Sequence, residues 1–364
     1  MAPQLLPGRL GDDSLTPATD PRTHPKLLEV LNGLGAGGIA PNPEGVTTES
    51  SEQVLFDYLL KSEADVEQLY ESIPLDLPSD ATAPPVTRSV EVITGPDGNE
   101  IELYIYRPES RSTEPLPALI YLHGGGMTIL KTENRVHVSW MRSLAAAGLV
   151  VVGVNFRNAF TPNGWNEFPA GLNDSAAGVR WVYANREKLG ISKVVLQGES
   201  GGGNLVLATA LKANREGWID EIAGVYALVP FISGLAGRPD EELRSELPSF
   251  IENSGYLLSR QQMALNFHTY NRDRTHARNP LAFPYFAEEK DLKGLPPHVI
   301  AVDELDMLRD EGIAYYHKLA KAGVSVIGKI NLGVTHAGIF IFRQGLSDHY
   351  KAIIAEIKDF AYRV

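Results

Sequence analysis

With 364 residues, 43% of them apolar and 21% charged, the chain has the composition of a soluble globular enzyme, which excludes a disordered chain, a collagen-like fibre and a coiled coil. Its 45 acidic residues exceed the 33 basic ones for a net charge of −12; such a surface repels polyanions, and no nucleic-acid partner is expected. Cysteine is absent, so disulfides, thiolate metal sites and a cysteine nucleophile are excluded.

Met1 to Leu10 has no apolar run of signal-peptide length, and the strongest apolar run, Leu149 to Val154, is too short to span a bilayer. A cytoplasmic location without a membrane span is expected. Lys26 to Leu31 reads as a short helix stopped by Asn32-Gly33. Gly33-Leu34-Gly35-Ala36-Gly37-Gly38 imitates a dinucleotide-binding turn, but no strand precedes it and Pro41 and Pro43 follow, so it reads as a loop. Ser50 to Ile73 has helical spacing of its apolar residues, and Pro74 to Pro85 reads as a linker. Next, Arg88–Thr94 and Glu100–Tyr106 flank Gly95-Pro96-Asp97-Gly98-Asn99, a hairpin signal.

Strands are expected at Ala118–Leu122, Leu149–Asn155, Lys193–Gln197, Ala223–Leu228, His298–Val302 and Val324–Ile330. Helices are expected at Val136–Ala147, Asn173–Lys188, Gly202–Glu216, Leu308–Ala322 and Ser347–Tyr362. This alternation gives βαβ units and a mostly parallel sheet flanked by helices. Residues 231–290 break it with no clear strand, the mark of an insertion above a sheet. The aromatics there, among them Phe250, Tyr256, Phe267, Tyr270 and Phe283, suit a pocket lining and the insertion's own core equally well.

Gly198-Glu199-Ser200-Gly201-Gly202 carries the chemistry. The strand Val194–Gln197 precedes it and a helix opens at Gly203, the context of a nucleophile elbow that exposes a serine oxygen. His123-Gly124-Gly125-Gly126 follows another apolar strand, and backbone N–H groups of such a loop can hold an oxyanion. His123 itself reads as a residue that fixes the loop. A serine nucleophile needs a base and the base an acid, in the chain order serine, acid, histidine. His317 and His349 fall on helices, whereas His336 lies in a loop just after a strand, where α/β sites assemble. For the acid, spacing leaves Asp303 and Asp306 both open; the bland role of Asp306 is a helix N-cap.

Together with Asp306-Met307-Leu308-Arg309-Asp310-Glu311-Gly312, these segments resemble the hormone-sensitive-lipase-like branch of the α/β-hydrolases, a likeness running from about Val86 to the C-terminus. The resemblance implies an α/β-hydrolase fold with a largely helical cap: residues 1–85 as an N-terminal cap segment, 86–364 as the catalytic domain and 231–290 as a cap insertion. It favours Asp306 over Asp303, and it implies an oxyanion hole of Gly125, Gly126 and Gly201, with Gly124 as a further candidate. Gly126–Leu130, Asn134–His137 and Phe156–Ala159 narrow the likeness to a bacterial lactone-opening member of the branch. The chain departs from the wider family at Phe156-Arg157-Asn158-Ala159, and Glu199 and Gly201 stand where Asp and Ala are usual.

The expected protein is a serine carboxylic-ester hydrolase with catalytic Ser200, Asp306 and His336, acting on small to medium esters or lactones through an acyl-enzyme. A non-catalytic small-ligand receptor on the same fold and an acyltransferase are the alternatives. No cofactor or metal is expected. The partner is a small-molecule ester, and a homodimer is the protein assembly considered.

Overall fold

The structure is a computed structural model that describes residues 6–109 and 114–364. Eight strands form one sheet: β1 (Val86–Thr94), β2 (Glu100–Pro108), β3 (Leu116–Leu122), β4 (Val150–Val154), β5 (Ile191–Glu199), β6 (Gly224–Leu228), β7 (His298–Leu305) and β8 (Val326–Thr335). Their order is β1-β2-β4-β3-β5-β6-β7-β8. The β1–β2 and β2–β4 pairs are antiparallel and all others parallel. This mostly parallel sheet is the one expected from the alternation of strands and helices, and its order is that of the α/β-hydrolase fold implied by the resemblance.

The helices are α1 (Pro25–Gly33), α2 (Glu52–Ser72), α3 (Arg135–Ala146), α4 (Ala170–Ala184), α5 (Gly201–Glu216), α6 (Asp240–Glu246), α7 (Ser249–Glu252), α8 (Arg260–Tyr270), α9 (Glu289–Leu292), α10 (Arg309–Lys321), α11 (Gly338–Ile341) and α12 (Ser347–Arg363). Alternate residues of each central strand point to opposite faces. Ile120, Val152 and Leu196 pack with α4, α5 and α10 on one face; Leu119, Val151 and Val195 pack with α3 and α12 on the other. Both faces are therefore covered, which is why β4 reads as an unbroken run of buried residues. Among the described residues no helix is long and apolar enough to cross a membrane.

Residues 231–290 hold α6, α7, α8 and the start of α9 and no strand, as the broken alternation predicts. Phe250, Tyr256, Tyr270 and Phe283 are fully buried, so core packing takes these aromatics. A separate apolar cluster joins Leu55 and Leu59 of α2 to Ile129, Leu130, Phe160 and Leu265 of α8. Two strands outrun their sequence signal: β7 reaches Leu305 and β8 reaches Thr335. The apolar pattern of β8 fades early because it is an edge strand with exposed and half-exposed side chains, and its register shifts between Asn331 and Thr335. The lengthened strands deliver Asp306 and His336 directly beyond the sheet.

Candidate active site

Ser200 joins β5 to α5 with φ 55° and ψ −117°, a conformation that L-residues adopt at a cost. Its N–H donates to the Leu228 carbonyl at 2.9 Å, and its own carbonyl accepts from the N–H groups of Asn204 and Phe231, both at 3.0 Å. The turn closes because the residues around it are glycines. A Cβ on Gly202 would overlap the Leu122 carbonyl oxygen, and one on Gly201 would lie 2.5 Å from the Met127 nitrogen and 2.8 Å from that of Gly126. The elbow and the His123–Gly126 loop are thus in backbone contact. Asn204, at the end of the same marker segment, ties α5 to the neighbouring segments by donating to the Phe231 and Ala282 carbonyls, both at 3.0 Å.

The glycine loop is shaped the same way. Gly125 (φ 98°) and Gly126 (φ 63°) occupy the left-handed region, and a Cβ on Gly126 would meet Asn266 of α8. Gly124 N–H donates to Glu199 Oε1 at 2.6 Å. Among the described residues, the N–H groups of Gly125, Gly126 and Gly201 have no protein acceptor. His123 donates from Nδ1 to the Gly124 carbonyl at 2.7 Å and stacks on Phe156 at 4.4 Å; burial lowers its pKa to about 4. The departing segment also serves this loop, because Asn158 donates to the Leu130 carbonyl at 2.7 Å.

Behind the loop lies a buried network that the motifs did not announce. Glu199 Oε1 also accepts from the Tyr121 hydroxyl at 3.0 Å and sits 3.8 Å from His137 Nε2. Burial pushes Glu199 up to about 8, against the pull of the Gly124 and Tyr121 donors. His137 donates from Nδ1 to the Lys131 carbonyl, and burial holds it well below the usual histidine value.

At the far side of the site, His336 Nδ1 donates to Asp306 Oδ2 at 2.8 Å, which leaves Nε2 as the basic atom. Both residues are buried. Burial opposes charging His336, but the Asp306 carboxylate outweighs it and raises the pKa above the ordinary 6.5. The other Asp306 oxygen accepts from Leu308 N–H at 3.0 Å. Asp303 does not reach the histidine by a hydrogen bond. It accepts from Asn331 at 2.7 Å, and burial pushes its carboxyl up to about 7. His317 is exposed on α10, and His349 packs edge-on to His24 at 4.9 Å.

The Asp306 loop is braced by residues far away in sequence. Asn253 donates to the Asp306 and Glu304 carbonyls, at 3.0 and 3.1 Å. Glu252 is buried between the guanidinium groups of Arg22 and Arg309. Burial alone would raise its pKa, yet the two arginines hold it below the usual range. Glu304 Oε2 accepts Gly333 N–H at 2.7 Å, while the Gly333 carbonyl accepts from His24 N–H at 2.8 Å. No cluster of three or more metal-ligating side chains occurs among the described residues.

Residues 119–340 match a family model described as the alpha/beta hydrolase fold. The chain belongs to this family. Among solved structures, the hydrolase is similar to brefeldin A esterase, described as a bacterial homologue of human hormone-sensitive lipase: 47% identity, TM-score 0.96, 98% of each chain covered. It is 32% identical over 251 residues to carboxylesterase NlhH of Mycobacterium tuberculosis, covering 66% of this chain and 72% of that protein. It is 30% identical over 250 residues to ethyl acetate hydrolase of Pseudomonas putida, covering 67% and 73%. The hydrolase is accordingly a carboxylic-ester hydrolase.

Proposed function

We propose that this esterase works by a serine mechanism, with Ser200 as nucleophile, His336 as general base and Asp306 as the orienting acid. The carrying observation is the 2.8 Å bond from His336 Nδ1 to Asp306 Oδ2, which aims a neutral Nε2 away from the acid. Nε2 takes the Ser200 Oγ proton as Oγ attacks the ester carbonyl. The carbonyl oxygen becomes an oxyanion, held by the N–H groups of Gly125, Gly126 and Gly201 at the start of α5. Gly124 takes no part, because its N–H is committed to Glu199. The His336 imidazolium protonates the departing alcohol, and the ester C–O bond breaks to leave an acyl-enzyme. Water, deprotonated by His336, then releases the acid and restores Ser200.

In this reading α2 and α8 form the cap, meeting over Ile129 and Leu130 beside the loop. The substrates are small to medium esters and lactones; the similarity to brefeldin A esterase along almost the whole chain supports the lactones. The exposed Ile327, Ile330 and Leu332 on edge strand β8 support a homodimer, which sedimentation would detect. The deciding experiment is hydrolysis of p-nitrophenyl esters of graded acyl length and of a macrocyclic lactone, wild type beside Ser200→Ala. Turnover lost in a folded Ser200→Ala protein is the expected result. Turnover retained there, or acyl transfer to added alcohol outrunning hydrolysis, overturns the reading.

A further inference from the structure

A second concavity lies away from the ester site, between α3, α12 and the segment from Leu75 to Val86. Its volume is about 860 Å³, within the roughly 300–1,000 Å³ of small-molecule sites. Two helix stripes face each other across it: Arg135, Val138 and Arg142 of α3, and Lys351, Ile354 and Lys358 of α12. Helical periodicity puts each set on one side of its helix. The apolar side chains lie in the middle of each stripe and the cations at its ends. Asp76 and Asp80 are the acidic lining residues, against five cations, in a chain of net charge −12.

Three of the five cations are engaged within the protein: Arg135 donates to the Glu71 and Ile73 carbonyls, Lys358 lies over the Tyr362 ring, and Arg343 pairs with an acid. Asp80 is engaged by the buried Arg343, whose Nη2 donates to both carboxylate oxygens at 2.6 and 2.8 Å. The Arg343 guanidinium also lies 4.7 Å from the Tyr350 ring centroid, so it forms a fixed floor. Arg142 and Lys351 are exposed, and among the described residues neither has a carboxylate or hydrogen-bond partner. A protein with surplus carboxylates has left two cations unpaired above an apolar trough.

We infer that this groove is a second ligand site, for an organic monocarboxylate with an apolar tail: the carboxylate pairs with Arg142 and Lys351, and the tail lies along Val138 and Ile354. Decanoate is the probe, titrated calorimetrically into the full-length protein, with decanol as the uncharged control. Wild type binds decanoate better than decanol, and added salt weakens the binding. The double variant Arg142→Glu/Lys351→Glu loses about tenfold or more in affinity, while kcat/KM for p-nitrophenyl acetate is unchanged. Both side chains are exposed, so the variant keeps its melting temperature, and Arg142→Gln/Lys351→Gln shows a smaller loss in the same direction. Equal decanoate affinity in wild type and double variant would place the ligand elsewhere and overturn the inference. So would decanol binding as tightly as decanoate, or hexaglutamate displacing decanoate, which would make the groove a peptide site.

Discussion

The crossing of the Ser200 turn with the 123–127 loop and the corner joining Asp306 to His336 lie at the same end of the sheet, yet they are held by different means. At the crossing, backbone touches backbone, and the positions that matter are those where a Cβ has no room: Gly201, Gly202 and Gly126. At the corner, side chains do the bracing. Arg22, Glu252, Asn253, Glu304 and Arg309 come from three separate parts of the chain. A backbone-built site depends on what is missing from its side chains, and a side-chain-built one on partners that must all be present.

That contrast can be broken in order of effect. Asp306→Asn leaves the corner's shape but favours the wrong histidine tautomer, so kcat falls by about 10⁴, whereas Asp303→Asn stays within about tenfold. Steady-state kinetics of the two variants decide it, and the reverse order would transfer the acid role to Asp303. Gly201→Ala pushes a methyl against the Met127 and Gly126 nitrogens, so the loop shifts and kcat falls about 10²-fold with a smaller change in KM. Unchanged kcat would mean that the crossing yields freely.

Glu252→Gln removes the carboxylate shared by Arg22 and Arg309. It costs about 2–3 kcal/mol in urea unfolding, with kcat reduced less than in the Gly201 variant because Asn253 still holds the Asp306 loop. A variant as stable as wild type would show that the ionic brace is idle. The smallest effect concerns Glu311, which accepts from Ile232 N–H and the Ser233 hydroxyl. Burial raises its pKa to about 8 from the ordinary 4.5, so the fold keeps a proton that the unfolded chain has released. Its stability contribution is full below about pH 4.5 and is lost as pH rises through about 8. The melting temperature of Glu311→Gln, relative to wild type, therefore climbs from about pH 5 to about pH 8; a flat difference refutes the shift.

Legibility in the sequence follows the same division. His123-Gly124-Gly125-Gly126 and Gly198-Glu199-Ser200-Gly201-Gly202 are readable because steric exclusion writes itself as runs of glycine after apolar strands. Asp306 is only half readable. Spacing places Asp303 and Asp306 near the same strand end, and without the family likeness nothing tells which one turns to His336 and which to Asn331. The brace is unreadable, since Arg22 and Glu252 stand 230 residues apart and neither belongs to a motif. Glu199 sits inside a motif, yet its hold on Gly124 emerges only when two loops meet. The β8 boundary was misplaced because an edge strand need not be apolar.

The strand order sets how the site fails. Ser200 caps β5, which β3 and β6 shield on both sides, while His336 follows β8, whose outer edge has no neighbour in the sheet. The edge position predicts that amide hydrogens on β8 exchange with solvent through local fraying, whereas those on β5 wait for global opening. Mild denaturant is therefore expected to detach His336 while Ser200 is still in place, so that activity disappears ahead of the ellipticity of the sheet.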